Sequence, residues 1–140
     1  MGRTGRLTAA IGLCLALPAP GAAASLAALA PLRPGLWQVR ALDGSRPATR
    51  ICLADPTLLA QIRHRGVTCT RMAIADAPRE AVVHYSCPGA GWGRTTVRVD
   101  RADAARIETQ GIADNAPFAF VADARRIGDC PAGTPPSAVR

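Results

Sequence analysis

Five cysteines in a chain of 140 residues constrain this sequence more than any other feature, because their positions decide which of them reach the folded protein. Cys14 stands apart from the rest. It lies within an uncharged apolar stretch, 7–17 (LTAAIGLCLAL), preceded by Arg3 and Arg6 and followed by Pro18, Pro20 and Gly21. Ala22, Ala23 and Ala24 then supply small residues in the A-x-A pattern. A positive start, a short apolar run and a small-residue site in that order are the marks of a secretory signal, with cleavage expected after Ala24. Ala30 is a poorer site because Pro31 follows it. An uncleaved anchor needs about 20 apolar residues, and here two prolines and a glycine interrupt the span. Lipid attachment at Cys14 calls for a small residue ahead of it, where Leu13 stands. Cleavage therefore discards Cys14 and leaves no stable membrane span.

Cys52, Cys69, Cys87 and Cys130 remain. An even number of cysteines in an exported chain predicts two disulfides and a periplasmic or secreted location. None of the spacings is C-x-x-C, and neither His64 nor His84 completes a zinc-like set, so no metal and no cofactor is expected. Three pairings are possible, and hairpin geometry distinguishes them. Segments 68–75 and 80–87 read as strands joined by a turn at Asp76-Ala77-Pro78-Arg79. If Ala75 pairs with Glu80, Cys69 falls opposite Ser86, and a one-residue bulge brings it opposite Cys87. Opposed β carbons about 4.5–5.5 Å apart can be bridged with little movement. Cys52 is then left for Cys130. In this register Met72 and Ile74 fall on the face opposite Cys69.

The rest of the chain reads as strand and turn: 36–42, a turn at Asp43-Gly44, then 46–53, 94–100, 105–112, a turn at 114–117, and 118–127. Trp37 belongs on the apolar side of the first strand. One helix interrupts the series. Asp55 is its N-cap, Pro56 suits the first helical position, Leu58, Leu59 and Ile62 make its apolar face, and Gly66 closes it. Arg63, His64 and Arg65 bring positive charge to its last turn, where His64 is expected as a charge partner of the helix end. The expected organisation is a signal peptide over 1–24, a linker over 25–33, a disulfide-braced β domain over 34–130 and a disordered tail over 131–140. The fold class is mostly β: an antiparallel meander of about seven strands with one short helix, with partial closure into a barrel open as an alternative.

The opening Arg33-Pro34-Gly35-Leu36-Trp37, Cys52-Leu53 followed by a capped helix, the strand end Tyr85-Ser86-Cys87 and the close Arg126-Ile127-Gly128-Asp129-Cys130 resemble a family of small exported proteobacterial proteins grouped as a domain of unknown function. The resemblance covers roughly 34–130. It implies a periplasmic or secreted protein and brings no catalytic residues. The chain departs from the pattern in its few aromatics and its short turn at Arg79-Glu80.

Charge and motifs narrow the function classes. The formal net charge is +7, yet all 17 basic residues are arginine. Arginine and alanine in excess without lysine look like the imprint of a GC-rich coding sequence. The arginines are dispersed, with Arg125-Arg126 the one adjacent pair, so no nucleic-acid partner is expected. The PGAGWG segment, 88–93, lacks the Lys and Ser/Thr of a phosphate-binding loop and opens a strand, not a helix. Trp92 within it is expected to fold back over the core; left exposed, it would offer a partner contact together with Arg94. Ser86 and His84 lie two apart on one strand face, about 7 Å, too far for a nucleophile and its base. The sequence therefore reads as a non-catalytic binding or interaction module for a small molecule or an envelope protein, not an enzyme. By fold-level analogy the alternative is an inhibitor of an envelope-directed enzyme such as a lysozyme, and beyond that a small hydrolase.

Overall fold

The structure, a computed structural model, describes Met1 and residues 26–134. The signal segment, its cleavage site after Ala24 and the tail beyond Thr134 lie outside the described residues. Seven strands form one antiparallel sheet: β1 (Gly35–Ala41), β2 (Thr49–Leu53), β3 (Thr70–Ala77), β4 (Glu80–Cys87), β5 (Gly91–Arg101), β6 (Ala104–Ala113) and β7 (Ala116–Gly128). Their order is β2-β1-β7-β6-β5-β4-β3. The last five strands are a plain meander, and the β1–β2 hairpin is added beside β7. β2 and β3 are the two edges, and the sheet does not close into a barrel.

Turn chemistry accounts for the meander. Asp114 and Asn115 both have positive φ, 53° and 59°. This is the type I′ geometry whose twist suits a two-residue hairpin, and Asp and Asn tolerate it best among residues with a β carbon. Pro78 and Arg79 alone connect β3 to β4, because Ala77 pairs with Glu80. The strands thus run two residues closer together at the turn than the sequence pattern predicts. A bulge at Ile74 then removes one residue of that offset, since Ala73 pairs with Val83 and Ala75 with Val82. Continuing past Thr70–Ser86 brings Cys69 opposite Cys87, and the two are bonded with Cα atoms 4.2 Å apart. The bulge exists, but it lies on β3 and corrects an offset of the opposite sign.

The inner face of the sheet is covered by two 3-10 segments, Ala27–Leu29 and Pro56–His64. The second replaces the expected α-helix. Its start follows the sequence, with the Asp55 carboxylate accepting from the Thr57 N–H at 2.9 Å and Pro56 at the first turn. Gln61 breaks the helical dihedrals at φ −125°, ψ 38°. Its side-chain amide donates to the carbonyls of His64 and Val67, satisfying the end of the helix from within. Packing against the sheet therefore outweighs continuation of the α-helix.

Residues 26–33 are not a linker. Leu26, Ala28, Leu29 and Leu32 are buried in the core. The bulge at Ile74 has turned Asp76 inward, opposite buried Ala81. The Asp76 carboxylate accepts from the N–H groups of Ala27 and Ala28, at 2.7 and 2.9 Å. Two otherwise unpaired donors at a helix start are satisfied across 49 and 48 residues. Trp37, fully buried, anchors the layer and donates its indole N–H to the Arg33 carbonyl at 3.0 Å. Ala28, Ala60, Ala81, Ala105, Ala122 and Ala124 let the covering segments approach the sheet closely. Cys52 is bonded to Cys130, tying edge strand β2 to the end of β7 across 78 residues. Closing loops of 78 and 18 residues restricts the unfolded chain by about 4.5 and about 3 kcal/mol. The first residues of the expected tail form a turn, with the Thr134 N–H donating to Pro131.

Candidate functional site

Three places in the molecule gather side chains that chemistry or recognition could use. The first surrounds Trp92. Gly91 pairs with Cys87, so β5 begins before the tryptophan, and the turn shrinks to Pro88-Gly89-Ala90. Strand alternation then points Trp92 outward. It is 42% exposed and does not fold back over the core. Its ring lies 5.7 Å from that of His84 at an interplanar angle of 31°. Arg94, paired with His84 across β4 and β5, is exposed on the same face. Met72 and Ile74 on edge strand β3 extend the patch, 58% and 48% exposed. Met72 does face away from Cys69, which is why it could not join the core, and Ile74 lies at the bulge. Farther along the sheet the outer charges are paired, with Arg98 donating to Glu80 at 2.9 Å and Arg106 to Asp123 at 3.2 Å. Among the described residues Arg94 has no such partner.

The second place is a buried polar cluster on the inner face. His64 is 4% exposed, buried on the inner face and not free in solvent at the helix end as the sequence suggested. Its Nε2 lies 3.0 Å from the Ala90 carbonyl, and its Nδ1 lies 3.1 Å from the Tyr85 hydroxyl. A carbonyl only accepts, so Nε2 carries a proton and donates to it, while Nδ1 and the tyrosine hydroxyl share the second bond. Burial pushes the Tyr85 hydroxyl up to about 12, against hydrogen bonds from Thr109 and Thr95 and the charge of Arg63. Thr95 and Thr109 bond one another at 2.7 Å. Each polar group here is occupied by another. The tyrosine ring needs space, which Gly93 provides: a β carbon there would collide with the ring, and one on Gly111 would strike the Trp92 carbonyl. Gly91 and Gly93 of PGAGWG, which read as loop, are therefore close-packed strand residues, while Gly89 stays in the turn.

The third place is a cleft of about 140 Å³ at the edge of the covering layer, between the β1–β2 hairpin, the end of the Pro56–His64 segment and β7. Val39, Ile62 and Ala122 are buried in its wall, and half-buried Phe120 completes an apolar floor. Arg46, Arg63 and Arg65 line it. The Arg46 guanidinium sits 5.2 Å from the centre of the Phe120 ring. Arg63 bonds Asp114 at 2.8 Å, while its Nε is buried without an acceptor among the described residues. Burial, and then the charge of Arg63, pulls the Arg65 guanidinium below its ordinary value. Arg46 and Arg65 have no acidic partner within ion-pair distance among the described residues. These arginines come from two segments and meet only because the hairpin folds beside the helix. Nothing in their spacing signals it.

Among the described residues no three His, Cys, Asp or Glu side chains converge on a point, and no helix is long and apolar enough to cross a membrane. No family model, curated protein or solved structure matches the chain.

Proposed function

We propose that this protein is a non-catalytic binding module of the bacterial envelope or exterior, and that it holds an acidic protein partner on the outer sheet face around Trp92 and Arg94. The observation that carries this reading is the row of exposed Met72, Ile74 and Trp92 with half-buried His84 on a sheet whose core is complete without them. Met, Trp and Arg are the side chains enriched where proteins meet, and a tryptophan with a ring beside it loses little freedom on binding. The row runs to β3, an edge strand exposed along all eight residues, which an extended segment of a partner could join by main-chain hydrogen bonds. Arg94, in no ion pair among the described residues, gives the face its charge preference. The compartment in this reading is supported by the signal-like start and the two disulfides. A lysozyme inhibitor would present an acidic surface to its basic target, whereas the cleft on the inner side is lined by arginine.

The test is site-specific cross-linking in cells that export the protein. A photo-reactive benzoylphenylalanine in place of Met72 should yield an adduct with an acidic protein, and the same group in place of Arg50, on the far edge strand, should not. Trp92→Ala or Arg94→Glu should abolish the Met72 adduct. Adducts at both positions alike, adducts that survive both substitutions, or capture of glycan alone would each reject the reading.

A further inference from the structure

We infer that the arginine-lined cleft beneath the β1–β2 hairpin is a binding site for a small amphipathic monocarboxylate. The site is independent of the outer face, since Phe120 and Ile62 lie on the covered side of the sheet and Trp92 on the other.

Like charges crowd the cleft. Arg46, Arg63 and Arg65 share a wall where Asp114 is the one carboxylate bonded to any of them among the described residues. Guanidinium groups cannot shed their charge near neutral pH, so with Asp114 bonded to Arg63 alone the crowding is only partly offset. The Arg63 Nε compounds this, as a buried donor with no acceptor. An anion entering the cleft would offset the repulsion and accept from guanidinium forks in the bidentate geometry that arginine favours for carboxylates.

The floor selects what the anion carries. Val39, Ile62, Ala122 and Phe120 are apolar, and a free inorganic anion would leave them unused. A dry apolar cavity of about 150 Å³ holds a benzene ring, and this cleft measures about 140 Å³. A phenyl ring or a chain of similar bulk therefore fits the floor while a single carboxylate reaches the arginines at the mouth. The Arg46 guanidinium over Phe120 already marks where the charged and apolar parts of the cleft meet.

The oxidised full-length protein should be titrated by calorimetry and by amide NMR with phenylacetate, with its neutral counterpart 2-phenylethanol and with inorganic phosphate. Phenylacetate should bind saturably and shift resonances of Phe120 and of the residues around Arg46. The alcohol and phosphate should each bind at least about tenfold more weakly, because each supplies one half of the recognition. Arg46→Gln lies on an exposed hairpin and preserves the fold, and it should weaken phenylacetate by a similar factor. Arg65→Gln serves as the second variant, with Arg106→Gln on the outer face as a control that leaves binding unchanged. Equal binding of acid and alcohol would remove the arginines from the site. Equal binding of phosphate would reduce it to an unselective anion contact. Absence of saturable phenylacetate binding, or indifference to Arg46→Gln and Arg65→Gln, would overturn the inference outright.

Discussion

The two tryptophans divide the molecule into its structural and its available halves. Trp37 is fully buried on the inner face with its N–H bonded to Arg33, and side chains from both covering segments close over the layer it anchors. Trp92 lies on the outer face against His84, 42% exposed, beside an arginine without an acidic partner among the described residues. The polar groups divide in the same way. His64, Tyr85, Thr95 and Thr109 are inside and satisfied by one another, whereas His84 and Arg94 are outside. The polar side chains of the inner face are engaged with one another in holding the layers together, and the outer face offers contact area.

The contrast can be broken most directly at the tryptophans themselves. Trp37→Ala should cost about 3–5 kcal/mol in urea denaturation, and Trp92→Ala less than about 1 kcal/mol. Equal losses would mean that Trp92 belongs to the fold and not to a contact surface. The covering layer is tested by Leu29→Ala, for which about 2–4 kcal/mol is expected because Leu29 is almost fully buried. A loss below about 0.5 kcal/mol, typical of surface positions, would return 26–33 to the status of a linker.

The inner polar cluster should show itself at high pH. An unfolded tyrosine releases its proton near 10, and the Tyr85 hydroxyl in the fold keeps it to about 12. Between those values the folded state binds the extra proton, so stability is whole below pH 10 and declines as pH rises toward 12. The decline should reach about 2–3 kcal/mol and vanish in Tyr85→Phe. Stability curves of equal slope in the two proteins would refute the assignment. The smallest effect sharpens the outer face: Arg94→Glu should change stability by under about 0.5 kcal/mol while eliminating partner adducts. A large loss of stability would place Arg94 in the structural half.

The parts of this fold that local chemistry dictates could be read in advance. Asp114-Asn115 must turn, Asp55-Pro56 must start a helix, and Cys69 and Cys87 flank a hairpin that brings them together. The signals failed where one local pattern served two outcomes. Gly91 and Gly93 mark a loop as readily as a strand in which a tyrosine ring needs room. Leu26 to Leu32, rich in alanine and without alternation, reads as a linker until Asp76, carried inward by the Ile74 bulge, fixes its N–H groups. His64 reads as a charge at a helix end until the helix is laid against the sheet and Tyr85 reaches it. The arginine cleft left no trace at all, because its members are joined by packing alone.

By itself the sequence determined the strand count, the Asp114-Asn115 turn and the two cysteine pairs, since dihedral preference and alternation act within a few residues and the hairpins they make leave the cysteines few choices. The extent of the other turns was set by the sheet register. Tertiary structure decided which face of each strand is covered, where the bulge falls and which arginines meet. Those outcomes depend on how layers fill the space between them, a balance among residues that are distant in the chain and indistinguishable by their local pattern.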